Sequence, residues 1–349
     1  MTSQQDMATS SPGRPAVTDD ADGTPSASSG GQPPSKLTGS AVSRLGDVVF
    51  RRLATGSGIL VTLVIALIAA FLIIQAAPSL IDNKANFFTY QGRWIVDGGD
   101  LQFGIPKLIY ATLFVSVIAL VIAMPIALGI SIFLTEYAPK RVVSPVTYLV
   151  DLLAAVPSIV YGLWGILILG PAMVPVNNWL VNNLGFLPFF QEPKSNVTNM
   201  STGGTLLTAG IVLAVMILPI ITAVTREVFT QTPVAHREAA LALGATKWEV
   251  VRTAVMPFGF SGYISGSMLG LGRALGETMA LYLIISNTGP IDFNLMESGE
   301  TFATKIANNA AEFDTPAKTG AFISAGLALF VLTFLVNASA RAIVGRRQA

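Results

Sequence analysis

Long apolar stretches separated by short charged segments fill the chain after its first 45 residues. Each stretch has about the 20 residues that an α-helix needs to cross a ~30 Å hydrocarbon layer, at about 1.5 Å per residue. In lipid, the backbone polar groups of such stretches can be satisfied only within helices. The pattern therefore predicts an all-α membrane protein with six transmembrane helices, at about 56–77, 108–135, 149–171, 205–225, 261–286 and 319–341.

Two segments do not fit this apolar pattern. Residues 1–45 are rich in Ser, Gly, Pro, Thr and Asp and have no apolar periodicity, which is typical of a disordered tail. They contain no apolar core of the kind that a signal peptide has. Residues 172–190 carry several asparagines and prolines, so we expect an interfacial excursion there and not a seventh span.

The basic residues predict the orientation of the spans. If six spans alternate, one side holds Arg44, Arg51, Arg52, Lys140, Arg141, Arg226, Arg237, Lys247, Arg252, Arg341, Arg346 and Arg347. The opposite side holds half as many basic residues, so the positive-inside rule predicts that both termini, including the 1–45 tail, are cytoplasmic. On the outer side, Phe302, Ile306 and Phe313 have the spacing of one amphipathic helix.

Composition argues against several other classes of protein. The chain is 52% hydrophobic and 12% charged, with a mean hydropathy of +0.62. Its net charge of +1 gives no basis for binding nucleic acid, which needs a clustered basic face. The absence of cysteine and the single histidine, His236, argue against disulfides, metal sites and a histidine-dependent hydrolase. The sequence also lacks the G-x-x-x-x-G-K-[ST] phosphate loop, so we expect ATP chemistry on another protein.

Residues 226–260 form the longest predicted cytoplasmic segment between spans. Pro233 can begin a helix there, and Gly244 can end it in a left-handed cap. A second short helix is expected from Thr246 to about Ala254, ending before Pro257. The resulting helix–turn–helix at the membrane surface is either an amphipathic connector with no partner or a helix that binds in a groove of a partner protein.

Two charged residues within the fifth predicted span, Arg273 and Glu277, are the leading candidates for a functional site. Ionisable groups inside a membrane cost about 2.5–3.5 kcal/mol each, and they commonly line a pathway or pair with one another. At four residues apart, we expect both on one face of a continuous helix, within a stripe formed by Gly262, Gly266 and Gly270. Both charges should then point into the helix bundle.

The pair has two interpretations. It is either an internal salt bridge that only fixes helix packing, or part of a path for an anion. In the second case the guanidinium of Arg273 contacts an oxyanion in transit. Glu277 then keeps the anion from binding too tightly to leave.

The residue order in these places resembles a known family. The order and spacing of the EAA coupling loop of ABC importer permeases are matched by Glu238, Ala239, Ala240, Gly244 and Pro257. Ala254 and Met256 stand where that family usually has Ile and Leu. Three further runs are similar to signatures of PstC-type permease subunits of the bacterial phosphate ABC importer: 133–136, 151–162 and 270–279. The resemblance covers nearly everything from residue 50 to residue 345.

The resemblance implies the ABC importer type I permease architecture over residues 46–349, and transport of inorganic phosphate by alternating access. It ties Arg273 and Glu277 to phosphate translocation, and it implies that Glu238 and Gly244 transmit closure of a partner ATPase. This chain is then a transport subunit and not an enzyme, with no cofactor of its own, because ATP and Mg belong to that partner. The implied location is the bacterial cytoplasmic (inner) membrane, in contact with its lipid.

The implied partners complete the transporter. They are a second, non-identical six-span permease of the PstA type, two copies of an ATP-binding subunit of the PstB type, and an extracytoplasmic phosphate-binding protein of the PstS type, with no nucleic acid. Two alternatives stay open, a permease for another oxyanion such as sulfate or molybdate and an ion-coupled secondary anion carrier. Such a carrier would be expected to have an inverted internal repeat, which the sequence does not show.

Overall fold

The computed structural model describes residues 44–97, 100–194, 200–285, 291 and 293–345. Nearly all of the predicted disordered tail, and the end of the fifth predicted span at Ser286, lie outside the described residues. The chain divides into two units between Ile59 and Leu60. The described part of the first unit is the start of helix α1, and the second unit holds the rest of α1 and everything after it.

The described residues fold mainly as helices. Their α-helices are α1 (Arg44–Ile81), α2 (Pro106–Ile132), α3 (Lys140–Ala155), α4 (Ser158–Trp164), α5 (Gly170–Leu184), α6 (Leu206–Thr230), α7 (Val234–Ala242), α8 (Lys247–Val250), α9 (Met256–Leu275), α10 (Met279–Ile284), α11 (Phe302–Asn308) and α12 (Pro316–Gly345). Three π turns occur within or at the ends of these helices, at Phe133–Tyr137, Gly165–Leu169 and Val251–Val255. The predicted all-α fold is confirmed.

Five helical stretches of the described chain are long and apolar enough to cross a membrane. They are Gly46–Ile81, Pro106–Tyr137, Ser158–Leu184, Leu206–Thr230 and Pro316–Ala342. The predicted span at 261–286 is not among them, because the helix is interrupted between Leu275 and Met279. The count of six spans and the cytoplasmic location of both termini therefore stay predictions.

Helices α2 and α6 form the centre of the second unit and run parallel to each other. Ile118 of α2 lies against Gly210 of α6. Further along, the hydroxyl of Ser131 donates to the carbonyl oxygen of Thr222 at 3.2 Å. Small buried residues follow one face of α2 at intervals of four and allow this close approach; they are Ala119, Ala123 and Ala127.

The third predicted span differs from the observed helices. Helix α3 ends at Ala155, and Val156 and Pro157 have extended backbones before α4 begins. A proline disfavours helical geometry at the residue before it and cannot donate a helical hydrogen bond, which explains the break. The helical stretch then continues through α5 to Leu184. The interfacial excursion expected at 172–190 is therefore helical over most of its length.

Each of these three π turns is followed closely by a proline. Pro139, Pro171 and Pro257 each follow the last residue of a π turn by two positions. A proline ring clashes with the carbonyl four residues earlier, and that carbonyl is in the π turn in every case. The wider turn moves this carbonyl away from the ring, so the chain stays helical up to the proline, and beyond it in two of the three cases.

The segment before α12 contains the predicted amphipathic helix in a shorter form. Helix α11 begins at Phe302, after a capping box between Thr301 and Thr304, and ends at Asn308. Phe313 lies beyond this helix and stacks on Phe322, with the ring centroids 5.1 Å apart.

Candidate functional site

The glycine stripe of α9 packs against α6, as predicted, and the two helices are antiparallel. Gly262 lies against Val228, Gly266 against Val224 and Gly270 against Ile221. A Cβ atom at Gly270 would lie 2.9 Å from Cγ1 of Ile221, which is closer than van der Waals contact. The stripe is therefore a site of close helix contact, and it fixes the position of Arg273 one turn further along.

Arg273 is exposed on the surface of the single chain. Its neighbours Leu271 and Ala274 are buried in the same turn of α9. Within the described part of the chain, no hydrogen bond or ion pair to Arg273 is formed. The expectation that this charge points into the chain's own bundle is wrong, because Arg273 lies at the edge of the buried face, and an apolar core would not pair its guanidinium.

Glu277 lies in the break between α9 and α10 and is 7% exposed. Its Oε1 accepts a hydrogen bond from the backbone N–H of Ala280 at 3.0 Å, so the carboxylate caps the start of α10. Gly276 and Thr278 leave regular helical geometry on either side of it. The expected pairing with Arg273 on one face of a continuous helix is therefore wrong, and no ion pair joins the two residues in the described structure.

Helix α10 lies beside α4, and the two run parallel. A Cβ atom at Gly162 of α4 would lie 2.8 Å from Cα of Ala280, and one at Gly165 would lie 2.7 Å from Cδ1 of Ile284. The contacts advance together along both helices, and Gly162 is the fifth residue of α4 whereas Ala280 is the second of α10. Helix α4 therefore begins slightly less than one turn before α10, level with the break. Tyr161, in the first turn of α4, interacts electrostatically with Arg273, and its hydroxyl donates to the carbonyl oxygen of Leu153 at 2.7 Å.

Two sources of positive charge, the Arg273 guanidinium and the start of α4, lie near this helix break. The N-terminus of a helix carries about half a positive charge, and the start of α4 lies beside the break that contains Glu277. The carboxylate already occupies the start of α10. An anion here could therefore contact the Arg273 guanidinium and the first free N–H groups of α4.

The second candidate region is the α7–α8 hairpin, Val234–Val250. Gly244 has a φ of +85°, the left-handed conformation predicted for it. The backbone N–H of Ala245 donates to Ala240 at 3.2 Å, and that of Gly244 donates to Leu241 at 2.9 Å. These two bonds form a Schellman motif, which ends α7 and reverses the chain.

The start of α8 is held by a capping box. The Thr246 side chain accepts from the backbone N–H of Glu249, and the Glu249 carboxylate accepts from the backbone N–H of Thr246 at 2.7 Å. The hydrogen bonds from the backbone and then the hydroxyl of Thr246 lower the pKa of Glu249. Both ends of the turn are therefore defined by short-range contacts that sequence can predict.

The predicted end of the second helix before Pro257 is wrong. Helix α8 passes through the π turn at Val251–Val255 directly into α9. The backbone N–H of Met256 donates to Val251, five residues earlier, so the helix reaches the proline without a break. Pro257 therefore lies inside one helical run that joins the hairpin to the glycine stripe. At about 1.5 Å per residue, Arg273 lies roughly 40 Å along this run from Lys247, where α8 begins.

The hairpin presents apolar side chains that its own chain does not cover. Glu238 and Ala239 are exposed and Ala240 is half-buried. Large apolar side chains surround them and are more than half exposed: Val234, Leu241, Leu243 and Trp248. Leu243, beside the glycine turn, is 90% exposed. An apolar patch of this kind commonly marks a protein-binding surface.

One contact of the hairpin was not anticipated. In the sequence, Arg237 bears only on span orientation, yet its guanidinium contacts the carbonyl oxygen of Phe229 and the carboxylate of Glu136. Sequence offered one signal, because Arg237 directly precedes the Glu-Ala-Ala run and Glu136 ends a run with its own resemblance.

These observations define a class of protein. Residues 126–348 match the family of binding-protein-dependent transport system inner membrane components. This match extends over more than half of the chain and contains both the hairpin and Arg273. The chain belongs to this family, so it is a transport component of the bacterial inner membrane.

Named relatives narrow the class. The chain is 54% identical over 303 residues to the phosphate transport system permease protein PstC 2 of Mycobacterium tuberculosis, covering 86% of this chain and 93% of that protein. It is 50% identical over 317 residues to PstC of Mycobacterium leprae, covering 90% and 98%. The chain is thus a member of the PstC permease family, as the sequence motifs predicted. Among solved structures, a chain of the inward-facing MetNI methionine ABC transporter is similar at 15% identity, over 69% of this chain and 94% of that chain, with a TM-score of 0.49.

Proposed function

We propose that this chain forms the translocation pathway of an ATP-driven inorganic phosphate importer, together with a second, non-identical permease of the PstA type. The observation that carries the proposal is the exposed Arg273 at the break in the fifth predicted span, in a chain whose relatives are PstC permeases. A guanidinium at membrane depth is costly in lipid, so this face is expected to contact protein or a water-filled path.

The chemistry of this face suits phosphate. A guanidinium offers a planar set of donors that matches two oxygens of a tetrahedral oxyanion. The start of α4 adds free backbone donors on the same side. Glu277 does not pair directly with Arg273. Its carboxylate instead caps α10 and thereby stabilises the break between α9 and α10. Its negative charge also limits how tightly an anion binds, which a pathway requires.

Energy enters at the other end of the helical run. We propose that the exposed α7–α8 hairpin binds in a groove of an ATP-binding subunit, two copies of which hold ATP and Mg. Closure of these subunits displaces the hairpin, with Glu238 and Gly244 at its contact surface. An extracytoplasmic phosphate-binding protein delivers the substrate to the outer loops, and the permease pair exposes the Arg273 region to each side in turn.

The test is phosphate uptake by the complete transporter in proteoliposomes. Arg273→Ala should abolish ATP-dependent uptake, a fall of about 100-fold or more, because no other described side chain replaces the guanidinium. The complex should still assemble, since Arg273 is exposed and unpaired in the described structure. Arg252→Ala, at another exposed arginine, is the matched control and should transport normally. Normal uptake in Arg273→Ala would exclude this residue from the pathway, and competition by sulfate or molybdate would identify a different oxyanion as the substrate.

A further inference from the structure

Helix α7 contacts the rest of the chain mainly through a charged side chain. None of its nine residues is buried. All are exposed except Arg237 and Ala240, which are half-buried. Burial of apolar surface therefore contributes little to holding α7 in position, and the polar contacts of Arg237 take on that role.

The Arg237 guanidinium joins α7 to the end of α6, eight residues earlier, and to the end of α2, which is distant in sequence. Its Nη2 donates to the carbonyl oxygen of Phe229, in the last turn of α6, at 2.8 Å. The same atom lies 3.1 Å from Oε1 of Glu136, in the π turn that follows α2. The two charged side chains are only 25% and 13% exposed, so solvent screens this ion pair less than a surface pair.

Both contacts are favourable at these positions. The C-terminus of α6 carries partial negative charge, which a cation stabilises. Glu136 is mostly buried, and without Arg237 its carboxylate would be left without its ionic partner, which is costly. A displacement of α7 therefore either moves the ends of α2 and α6 with it or breaks two contacts that stabilise the structure.

Phe229 extends this connection toward the glycine stripe. Its side chain is 1% exposed and packs with Ile132, Val251 and Val255 in a separate apolar cluster. The ring also lies against Gly259 of α9. One residue thus binds Arg237 through its carbonyl and contacts α9 through its ring.

We propose that Arg237 is a positioning residue for energy coupling: it passes displacement of the α7–α8 hairpin to α2 and α6 through Glu136 and Phe229, and from α6 through the glycine stripe to Arg273. This inference rests on the proposed coupling role of the hairpin. It adds the link inside the permease, at a residue that contacts neither phosphate nor ATP.

The experiment uses the whole transporter in proteoliposomes and measures phosphate imported per ATP hydrolysed. Arg237→Gln should lower this ratio about tenfold, as expected for loss of a charge-assisted hydrogen bond, while the ATP-binding subunit still co-purifies. Glu136→Gln should lower it less, because the Phe229 contact remains. The double variant should be no worse than Arg237→Gln alone, since both residues act through one contact. Arg252→Gln, an exposed arginine nearby, is the control and should keep the wild-type ratio.

An unchanged ratio in Arg237→Gln would overturn the inference. Loss of the ATP-binding subunit from that variant would also overturn it, because Arg237 would then serve docking and not transmission. If Arg237→Gln does not fold, Arg237→Lys decides, because it keeps the charge but its side chain is one bond too short to place a nitrogen where Nη2 lies: a lowered ratio supports the inference and a wild-type ratio refutes it. Gly244→Asp separates this inference from the proposed function. If Gly244→Asp keeps the wild-type ratio of phosphate to ATP, the proposed coupling role of the hairpin is wrong. If Gly244→Asp lowers the ratio but Arg237→Gln does not, only the proposed role of Arg237 is wrong.

Discussion

Glycine serves two different physical purposes in the two regions that carry the candidate functions. In the stripe of α9, glycines have ordinary helical backbones, and neighbouring α6 side chains occupy the space where a Cβ would be. At Gly244 the reverse holds, because nothing lies within 4 Å of a Cβ but φ is +85°. The stripe needs a small residue, and the hairpin needs a left-handed residue. The first requirement belongs to the packed helices, and the second belongs to an exposed turn that a partner can reach.

The largest effect is expected from adding bulk to the stripe. Gly262→Leu would place its side chain against Val228, whose branched carbons are close to the backbone and cannot move aside. Overpacking of this kind costs about 1–3 kcal/mol, so the melting temperature in detergent should fall by several degrees. Gly272→Leu is the matched control, because the same helix has open space at Gly272. Equal melting temperatures for the two variants would contradict the close packing of the stripe.

A smaller effect is expected at Gly244, where asparagine should be tolerated better than alanine, the opposite of the order expected at Gly266. Gly244→Ala should cost about 1–2 kcal/mol locally from the left-handed backbone. Gly244→Asn should cost less, since asparagine tolerates that conformation. At Gly266 the order should be opposite, because a Cβ there lies 3.0 Å from Val224 and only size matters. Hydrogen-exchange protection of α7 and of α9 measures the two orders. If alanine and asparagine ranked in the same order at Gly244 and Gly266, one physical cause would govern both glycines and the distinction would be wrong.

The smallest effect concerns the pH dependence of the hairpin. The pKa of Glu249 lies below its ordinary value of 4.5 in the folded chain. Its capping bond therefore contributes fully above that value and is lost as pH falls through the lowered pKa. Protection factors of the α8 amides should decline as pH is lowered past 4.5, with little change in the stripe. Glu249→Gln keeps the capping geometry without the titration, so its protection should not change with pH.

Short-range patterns predicted the hairpin well. Gly244 has the left-handed backbone that was expected of it, and a helix begins at Thr246 as expected, where a capping box with Glu249 also forms. The glycine stripe was equally predictable, since small residues at a spacing of four imply close helix contact. These features depend on neighbours in sequence, which is why sequence reveals them.

The charged pair was not predictable in the same way. A helical wheel assumes one continuous helix, and the break at Gly276–Thr278 invalidates it for Glu277. The carboxylate instead binds the backbone of α10, a contact that exists only because the helix is interrupted. The sequence likewise predicts that a helix ends before Pro257, whereas the preceding π turn accommodates the proline within the helix. In both cases the structure differs from the prediction because of an irregularity in the backbone, and residue types alone do not locate such an irregularity.

The π turn at Val251–Val255 has a consequence for the direction in which the hairpin faces. Each residue in a helix adds about 100° of rotation, so one residue more or fewer in this turn would rotate α8 by about a quarter of a circle relative to the glycine stripe. No side chain of the stripe would need to change for that rotation to occur. The interval of thirteen positions between Gly244 and Pro257 therefore determines the direction, around the axis of α9, in which the exposed surface of the α7–α8 hairpin faces.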